Sequence, residues 1–416
     1  MTSVFIHNFG CRVNQSEAFD WSDSITEAGV SVVRDWRQAE VVVVNSCALT
    51  ARAEADVRQF IRRLQREAPQ AKVILTGCLA EKGLEELKEW TNVILTVPNS
   101  AKDRLVDEVI KIAGKNAGLT PEKKFYRSRA LIKVQDGCDS RCTFCIIPNL
   151  RGASRSQSIE KVVEKVKRAA SLGYEEFVLA GIHLCAYGQD LKPKASLTEL
   201  LEKLTALPEV KQLRLSSLDP RLMPEELLDL LASEKKICPH FHLSLQHASP
   251  QVLRRMGRRS SPEEYRAILH FLREKRPEAN LGADIIVGFP GEGEEDYVFL
   301  KNFLTESPLT YFHVFSFSAR EGTPAAGWPQ VEEKVKKLRS EELRKISREK
   351  NFQFRNSFVG KILPAVVIKK EAGQAELLTS NYIKVKARVT PEIKPRKLVN
   401  VKILKVAPYA VEGEVA

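Results

Sequence analysis

The sequence predicts an α/β protein in three parts: an open α/β sheet, a partial (βα)6 barrel and a small β-barrel. Three observations predict this order. Apolar, strand-like runs alternate with helical patterns in the first part, and a strand followed by a helix repeats about six times in the middle. Short runs of alternating apolar and polar residues then fill the C-terminal part. The expected domain ranges are 1–118, 125–354 and 355–416.

Composition and charge narrow the class of protein. The 416 residues are 43% hydrophobic, as in ordinary globular chains, and no apolar run reaches the roughly 18 residues that a membrane span needs. The first residues lack a basic region followed by an apolar stretch, so we expect a cytoplasmic protein. The net charge is +12, and residues 355–416 hold twelve lysines and arginines against five acidic residues. This basic segment favours a nucleic-acid partner, with a lysine-rich solvated surface as the alternative.

The first part contains three apolar runs that are typical of buried parallel strands, "SVFIH", "EVVVVN" and "KVILTG". Helical patterns follow them, as in 51–66, where Val57, Ile61 and Leu64 form an apolar stripe. The polar stretch "GKNAGLTPEKK" at 114–124 is typical of a linker. Together these patterns predict an open, parallel α/β sheet.

The second part repeats a strand and a helix. Ser196 with Glu199 predicts a capped helix start, as does Ser261 with Glu264. Because β-α crossovers are right-handed, repeating them favours an open or partial barrel, whose chemistry lies at the carboxyl ends of the strands. The predicted strands are 131–135, 176–181, 212–215, 240–245, 282–288 and 310–314.

The third part follows a charged helix at roughly 330–354. Its runs "LPAVVIKK", "NYIKVKARV" and "VNVKILKVAPYAVEGEV" alternate as strands do. A basic chain of this length with several short strands predicts a small β-barrel.

Each predicted strand of the first part is followed by a loop with one cysteine. Cys11 lies in "NFGCRVNQ", Cys47 in "VVNSCALT" and Cys78 in "LTGCLAEK". In an open α/β sheet, ligands gather beyond the carboxyl ends of the strands, so we expect the three thiols to converge. The alternative is that each cysteine is buried as a small apolar residue. Three cysteines at equivalent strand ends favour a shared metal or cluster.

A tight triplet of cysteines opens the second part. Cys138, Cys142 and Cys145 have the spacing C-x3-C-x2-C in "GCDSRCTFC", directly after the first predicted barrel strand. A loop wrapped around a four-iron cube suits this spacing, and three thiolates leave one iron for a small molecule. Zinc completed by a distant histidine is the competing interpretation, although the seven histidines offer no finger-like spacing.

These motifs resemble those of the radical S-adenosylmethionine (SAM) methylthiotransferases over essentially the whole chain. "GCRVNQSE", "NSCALTARAEAD" and "ILTGCLAE" are similar to the N-terminal domain of that family, and "GCDSRCTFCIIPNLRGASRS" to its radical-cluster loop. "LLTSNYIKVKA" is similar to an RNA-binding TRAM domain. The resemblance implies a flavodoxin-like α/β domain, a radical SAM (βα)6 core and a TRAM-like β-barrel.

Within the family, "GCRVNQ", "AGIHLCAYGQDL" and "RLSSLDP" most resemble one branch. That branch adds a methylthio group to C2 of threonylcarbamoyladenosine at tRNA position 37. Branches that act on isopentenyladenosine in tRNA or on a ribosomal-protein aspartate are the alternatives. An alternative of another class is a zinc-stabilised RNA-binding protein without catalysis. The sequence departs from the family pattern at Cys185, at His247-Ala248 and at Gly293.

The resemblance implies two [4Fe-4S] clusters and SAM. Cys138, Cys142 and Cys145 are the expected catalytic ligands of the radical cluster, and the three single cysteines the expected ligands of an auxiliary cluster that carries or delivers sulfur. One SAM would supply the methyl group. Another would supply the 5′-deoxyadenosyl radical that abstracts hydrogen from adenine C2, a step that calls for a cofactor. We expect a monomer that does not bind a membrane. The implied partners are the tRNA anticodon stem-loop, an electron donor and a sulfur source.

Residues at strand ends are the candidate SAM contacts. "AGIH" follows the second predicted barrel strand and suits backbone contacts with the SAM amino group, and "VGFPGE" follows the fifth and suits close approach of adenosine. Phe144, between the second and third cysteines, is a candidate to flank the SAM adenine, with packing against the barrel wall as the alternative. The candidate cofactor-binding residues are Phe144, Gly181, His183, Ser216, Ser217, Gln246, Gly288, Pro290 and Gly291.

Candidate substrate contacts combine charge with an aromatic side chain. Arg151 and Arg155 are candidates to face a phosphate or the substrate carboxylate, with solvated surface as the alternative. In the C-terminal part, charge beside an aromatic ring fits contact with RNA backbone and base. The candidates there are Tyr382, Lys384, Lys386 and Arg388.

Four further residues are expected to have structural roles. His240 and His242 lie two apart on a predicted strand and are interpreted as packed, hydrogen-bonded core histidines. Cys185 and Cys238 are expected to bind no metal.

Overall fold

The structure, a computed structural model, describes residues 3–83, 89–114, 128–371 and 373–416. Residues 115–124 of the predicted linker lie outside the described residues. The chain forms two compact units that interleave in sequence. One comprises Met1–Tyr126, Asp136–Ala153 and Arg320–Ala326, and the other Arg127–Gln135, Ser154–Ala319 and Gly327–Ala416. The division at 1–118, 125–354 and 355–416 stays a prediction.

A parallel five-stranded sheet organises the first unit. Its strands are β1 (Ser3–Asn8), β2 (Ser31–Val32), β3 (Val41–Ser46), β4 (Lys72–Gly77) and β5 (Val93–Val97), in the order β2-β1-β3-β4-β5. Its helices are α1 (Arg12–Glu27), α2 (Ala51–Glu67), α3 (Cys78–Glu81) and α4 (Leu105–Ala113). The three strands expected from the apolar runs are confirmed, because β3 and β4 are buried between two apolar clusters, one on each face.

Helix α2 illustrates how the sequence dictates an element. The side chain of Thr50 accepts a hydrogen bond from the backbone N–H of Ala53 and caps the helix. Val57, Ile61 and Leu64 share one face of the helix and are fully buried against the sheet. The predicted apolar stripe is therefore confirmed.

The barrel of the second unit is built from parallel strands. The elements between β5 and the end of the barrel are β6 (Ala130–Lys133), β7 (Gln135–Asp136), β8 (Arg155–Ser156), β9 (Glu176–Ala180), β10 (Gln212–Leu215), β11 (His240–Gln246), β12 (Asn280–Val287) and β13 (Tyr311–Ser316). The helices over this stretch are α5 (Ile147–Arg151), α6 (Ile159–Ser171), α7 (Leu197–Thr205), α8 (Glu225–Ser233), α9 (Pro250–Arg255), α10 (Pro262–Lys275), α11 (Glu294–Glu306) and α12 (Glu333–Asn356).

Six of these strands form a partial barrel. Strands β6, β9 and β10 make one parallel sheet, and β11, β12 and β13 make another. A parallel bridge between Leu218 and Leu243 links the two sheets. Among the described residues β6 does not pair with β13, so the barrel stays open and the predicted partial (βα)6 architecture is confirmed. The predicted capping box of Ser196 and Glu199 opens α7.

A closed five-stranded barrel ends the second unit. Its strands are β14 (Ile362–Glu371), β15 (Gln374–Thr379), β16 (Lys384–Arg388), β17 (Leu398–Ala407) and β18 (Ala410–Val415), closed in the order β14-β15-β16-β18-β17. Inward-facing aliphatic side chains fill it. The predicted small β-barrel is confirmed. In the described part of the chain, every helix is too short or too polar to cross a bilayer.

A buried arginine joins the closed barrel to β10 within the second unit. Arg214 is fully buried, and its Nε lies 2.7 Å from Oε1 of Glu176. Its Nη1 and Nη2 donate to the carbonyl oxygens of Ser380 at 2.9 Å and Thr379 at 3.2 Å. The fixed fork of donors thus satisfies a buried charge while tying the turn before β16 to the core.

Candidate active site

The three single cysteines lie at the same edge of the first unit's sheet. Cys11 follows β1, Cys47 follows β3 and Cys78 follows β4, and these neighbouring strands are parallel. A Cβ atom placed on Gly10 would lie 2.7 Å from Sγ of Cys47, so the Cys11 loop packs directly on the second thiol. Since all three strands point the same way, their ends bring the thiols together. The predicted convergence therefore has a structural basis.

The surroundings of these thiols are those of a ligand site. Burial raises the pKa of the Cys47 thiol to about 11, and burial also raises the pKa of Cys11. Cys78 raises both pKa values further, which places the three sulfurs within electrostatic reach of one another. Arg151 acts in the opposite direction on both. Because a metal binds the thiolate, loading this site requires protons to leave buried sulfurs beside a cation.

Arg151 belongs to a buried polar network that includes Asn14, a neighbour of the Cys11 thiol. Nη1 of Arg151 lies 2.7 Å from Oδ1 of Asp136 and 3.4 Å from Oε1 of Glu17, and Nη2 donates to the side chain of Asn14. Nζ of Lys102 lies 2.5 Å from Oε2 of Glu17. Burial acts to lower the pKa of Arg151, but Glu17 and Asp136 raise it well above its usual range. Two buried cations are thereby matched by two buried carboxylates.

The position of Arg151 differs from the expectation. Its side chain is only 1% exposed, so it does not meet a substrate in solution. The sequence motif "GCRVNQSE" already held Asn14 and Glu17, polar residues on the buried face of α1. Their pairing with a residue more than 130 positions away was the part that the sequence did not reveal.

The cysteine triplet lies in the segment Asp136–Ala153 of the same compact unit. Gly137 adopts φ +69, and a Cβ there would lie 1.9 Å from the carbonyl oxygen of Ala153, so only glycine fits. The N–H of Cys138 donates to the carbonyl of Gly152 at 3.1 Å, which closes the segment into a loop. Within it, the N–H of Cys145 donates to the carbonyl of Cys142 at 3.0 Å. The three cysteines are half-buried on a short loop.

An iron–sulfur cube at each trio stays a prediction. In residues 3–83, 89–114, 128–371 and 373–416, no three His, Cys, Asp or Glu side chains are arranged to hold a metal ion. A cube accepts a wider arrangement, because each thiolate binds a different iron. The donors are soft thiols on loops with close backbone packing, the chemistry that iron–sulfur clusters take.

Five predicted or neighbouring residues are joined by hydrogen bonds at the strand ends of the open barrel. The N–H of His183 donates to Oε1 of Gln135 at 2.8 Å, and Nε2 of Gln135 donates to Ser154 at 2.9 Å. The N–H of Gly181 donates to Oγ of Ser216 at 3.3 Å. The ends of β6, β9 and β10 therefore share one polar surface.

Two further predicted residues at these ends have features of ligand contacts. The hydroxyl oxygen of Ser217 is buried and has no hydrogen-bond partner within the described part of the chain. Gln246 ends β11 after a register shift and adopts φ 71, a strained conformation for a non-glycine residue. Buried polar groups without partners and strained backbone both concentrate at functional sites.

Asp219 is a site residue that the sequence analysis did not single out. Its carboxylate accepts from Nε2 of His183 at 3.2 Å, from Arg221 at 2.5 Å and from Arg258 at 3.3 Å. Burial alone would raise the pKa of Asp219, but hydrogen bonds from His183 and Arg221, with the charge of Arg258, hold it well below its usual range. Its N–H donates to Sγ of Cys185 at 3.2 Å. Its only sequence signal was the motif "RLSSLDP".

The glycines of "VGFPGE" have internal roles. A Cβ on Gly291 would lie 1.3 Å from Nη1 of Arg255, and one on Gly288 would lie 2.3 Å from Cγ of Lys336. The N–H groups of Gly288 and Phe289 both donate to the carboxylate of Glu292. Side chains of this chain, Arg255 and Lys336, thus pack against the two glycines. Pro290, which lies between them, is buried. Phe144 is half-buried on the triplet loop.

The C-terminal candidates divide into two groups. Tyr382 adopts φ 69, is half-buried and stacks on His240 of β11. Its ring thus helps to hold the closed barrel to the core. The exposed candidates are Lys384, Lys386 and Arg388 on β16, and Arg155 on β8.

Acidic side chains accompany the exposed cations of β16. Nζ of Lys384 lies 3.4 Å from Oε1 of Glu376 on β15. Lys386 lies opposite Glu376 on one side and Glu412 of β18 on the other. This face of the barrel is therefore a mixed one and not a continuous basic surface.

The two core histidines of β11 agree with the expectation, and the absence of metal at Cys185 and Cys238 stays a prediction. Nε2 of His240 and Nδ1 of His242 lie 2.9 Å and 3.1 Å from the hydroxyl of Tyr311, as hydrogen-bonded core histidines. Burial raises the pKa of Cys185 and of Cys238 to about 12.

Comparisons with known proteins identify the domains. The model of the Radical SAM superfamily matches residues 132–304, and that of the uncharacterized protein family UPF0004 matches residues 3–98. Radical SAM proteins hold a [4Fe-4S] cluster and SAM, so the chain is an enzyme of this chemistry. The structure is similar to the radical S-adenosylmethionine methyltransferase TsrM from Kitasatospora setae, with a TM-score of 0.57 and 16% identity over 78% of this chain and 77% of that one. That similarity shows the fold alone.

Full-length relatives show the family. Threonylcarbamoyladenosine tRNA methylthiotransferase MtaB of Aquifex aeolicus is 37% identical over 96% of this chain and 100% of its own length. The protein of that name from Bacillus subtilis is 33% identical over 98% of this chain and 95% of its own. Ribosomal protein uS12 methylthiotransferase RimO of Moorella thermoacetica is 35% identical over 82% of this chain and 83% of its own. The chain belongs to the radical SAM methylthiotransferase family.

Proposed function

We propose that the protein adds a methylthio group to C2 of threonylcarbamoyladenosine at position 37 of tRNA. The carrying observation is that two cysteine trios lie in one compact unit of a chain whose MtaB relatives match it over most of its length. Five MtaB relatives are 33–37% identical to this chain. The RimO relatives, at 32–35%, make a ribosomal protein the second candidate substrate.

Each trio has a proposed cluster. Cys138, Cys142 and Cys145 hold the [4Fe-4S] cluster that SAM completes. A second [4Fe-4S] cluster is held by the three single cysteines Cys11, Cys47 and Cys78. When bound, these groups supply a carbon-centred radical for an unreactive C–H bond and a source of sulfur, which side chains cannot provide.

The chain's own groups prepare the second site. Arg151 offers a permanent positive charge beside thiols whose pKa values burial raises, so it favours their ionised form. Glu17 and Asp136 keep that cation in place. The site therefore binds metal without exposing a charge to solvent.

The strand ends of the open barrel are the proposed SAM and nucleoside site. Three of its groups lie at the ends of β9 and β10: the backbone of Gly181, His183, and the hydroxyl of Ser217, which has no hydrogen-bond partner among the described residues. Asp219 fixes the His183 ring through Nε2. This leaves polar groups at the position where barrels of this type bind ligands.

The partners follow from the reaction. The anticodon stem-loop of tRNA is the proposed substrate, with the exposed cations of β16 and Arg155 as backbone contacts. An electron donor and a sulfur source are needed as well, and we infer a monomeric, cytoplasmic enzyme.

Nucleoside mass spectrometry tests the proposal. We expect methylthio-threonylcarbamoyladenosine in tRNA from cells with this protein and its loss when the gene is removed. The reconstituted enzyme, incubated with tRNA and with ribosomal protein separately, should add the methylthio mass to tRNA only. Addition to the ribosomal protein would favour the second candidate. Anaerobically purified protein should carry about eight irons, and colourless, zinc-loaded protein without product would overturn the enzymatic assignment.

A further inference from the structure

Each single-cysteine loop is connected to the triplet segment through buried side chains, directly by Arg151 and Asn99 and, for the Cys47 loop, by way of the segment Arg320–Ala326. The first tie is Arg151, at the end of α5 in the triplet segment. It bonds Asp136, which precedes the triplet loop, and it bonds Asn14 and Glu17 on α1, which begins directly after Cys11. One guanidinium group therefore contacts both cysteine-bearing regions.

The second tie runs through the segment Arg320–Ala326. Nη2 of Arg320 donates to the carbonyl of Ala48, the residue after Cys47, at 3.0 Å and also contacts Glu54. Five residues on, the N–H of Ala325 donates to the carbonyl of Thr143 at 3.0 Å, between the second and third cysteines of the triplet. This segment comes from a distant part of the sequence but bridges the two cysteine regions.

The third tie involves Asn99. Its Nδ2 donates to the carbonyl of Leu150 at 2.7 Å and lies 3.9 Å from Sγ of Cys78. The residue is 8% exposed. Arg151 and Asn99 thus link the Cys11 and Cys78 loops to the triplet segment directly, and Arg320 links the Cys47 loop to a segment whose backbone bonds Thr143.

We propose that Arg151 and Arg320 are positioning residues that fix the spacing between the two cysteine trios, and with it the distance from the sulfur source to the substrate carbon that the 5′-deoxyadenosyl radical leaves without its hydrogen. This inference rests on the proposed two-cluster function. Three contacts at separate points are the fewest that fix both the position and the orientation of one group of loops relative to another. Their burial keeps water from competing for the bonds.

The proposal predicts a specific failure when a tie is loosened. Lysine keeps the charge of arginine, but its single ammonium group cannot replace a planar guanidinium group that reaches separate acceptors, three for Arg151 and two for Arg320. In Arg151→Lys and Arg320→Lys, both clusters should still form, and SAM should still be cleaved. The radical would then form without sulfur at the right distance, so cleavage would no longer lead to product.

The experiment compares both variants with wild type and with Arg63→Lys, an exposed arginine of α2 in the same unit. Three quantities are measured: iron per chain, 5′-deoxyadenosine released per methylthio product, and the dipolar coupling between the two reduced clusters by pulsed electron paramagnetic resonance. We expect unchanged iron, a ratio raised by about tenfold or more, and an altered or broadened coupling in both variants. Arg63→Lys should match wild type in all three.

The outcomes separate this inference from the function on which it rests. Unchanged ratio and coupling in iron-loaded Arg151→Lys and Arg320→Lys overturn the positioning role. Loss of iron from both variants also overturns it, because the arginines would then serve to build the clusters and not to space them. If only Arg151→Lys loses iron, the product ratio and the dipolar coupling of Arg320→Lys decide whether the positioning role stands. Wild-type protein with about four irons, or without product, contradicts the proposed function itself.

Discussion

The ring of Tyr382 stacks on the ring of His240, with centroids 4.2 Å apart and planes 12° from parallel. The guanidinium carbon of Arg214 lies 5.2 Å from the same ring. An aromatic residue in a basic segment therefore serves as an internal anchor of the closed barrel.

Replacement of this anchor should destabilise the second unit. We expect Tyr382→Ala to lower the free energy of unfolding by about 2–3 kcal/mol, since it removes a packed ring and its stacking partner's contact. Tyr409→Ala is the matched control, because Tyr409 is 91% exposed at the hairpin between β17 and β18. Thermal denaturation of both variants measures the difference. Equal melting temperatures would contradict the anchoring role.

The mixed charge of the β16 face predicts opposite effects of neighbouring substitutions. Lys386→Gln should weaken tRNA binding and reduce its salt dependence by about one unit of slope, because one phosphate contact is lost. Glu412→Gln, opposite Lys386, should strengthen binding about two- to fivefold at low salt, because it removes a repelling charge. Filter binding across a salt series measures both, with exposed Lys235→Gln as control. No change in either variant would show that this face does not touch tRNA.

The two cysteine trios should fail in different ways. We expect Cys142→Ala to abolish SAM cleavage, and Cys47→Ala to keep part of the cleavage while methylthio transfer stops. Each variant should retain about four irons of about eight. Cys238→Ala, a buried cysteine outside both trios, is the control and should keep both activities. Normal methylthio transfer by Cys47→Ala would contradict the second cluster.

Stability should fall in mild acid because of His7. Burial lowers the pKa of His7 to about 4, and its ring stacks on Phe60 with centroids 4.1 Å apart. The neutral ring contributes fully above pH of about 6.5, and the contribution is lost as the pH falls towards 4, because the unfolded chain takes up the proton first. We expect His7→Phe to remove about 1–3 kcal/mol of this acid-dependent loss.

Chemical denaturation of wild type and His7→Phe between pH 7 and 4 measures that slope. His270→Phe replaces an exposed histidine of α10 and should leave it unchanged. An identical pH dependence in His7→Phe and wild type would contradict the assignment.

Gly137 should be indispensable for the triplet loop. Gly137→Ala combines a positive φ with a Cβ that would lie 1.9 Å from the carbonyl of Ala153, so the loop cannot close. We expect loss of about four irons and of SAM cleavage. Gly173→Ala is the control, because Gly173 has φ +87 with no atom within 4 Å of the added carbon. It should cost only about 1 kcal/mol and keep its iron, as iron assay and melting would show.

Periodicity predicted the elements because it reports burial. The run at 212–215 became β10 with all four residues buried, and Val57, Ile61 and Leu64 became the buried face of α2. The spacing of Cys138, Cys142 and Cys145 predicted one loop, since so few residues cannot reach between elements. These signals are local, and the chain alone carries them.

Contacts between distant positions were outside the reach of the sequence. Arg151 was expected at a substrate because nothing local marks Glu17 as its partner. The parallel pairing of β16 with β18, which sets Glu412 against Lys386, follows from barrel closure and not from either strand. The side chain of Arg255 on α9 packs against Gly291, a contact that nothing near either residue in the sequence marks. Side-chain partners chosen by tertiary packing explain each difference.

The interleaved course of the first unit bears on how the protein can be divided. A truncation at residue 118 keeps the five strands and all three single cysteines, but it removes Arg151 and Arg320. The amide of Asn99 and the carbonyl of Ala48 would then open to water, and Glu17 would keep only Lys102 of its two cations. Such a fragment should assemble its iron poorly even though it contains all three single cysteines, and a chimera that exchanges N-terminal halves between relatives should carry residues 136–153 and 320–326 along with them.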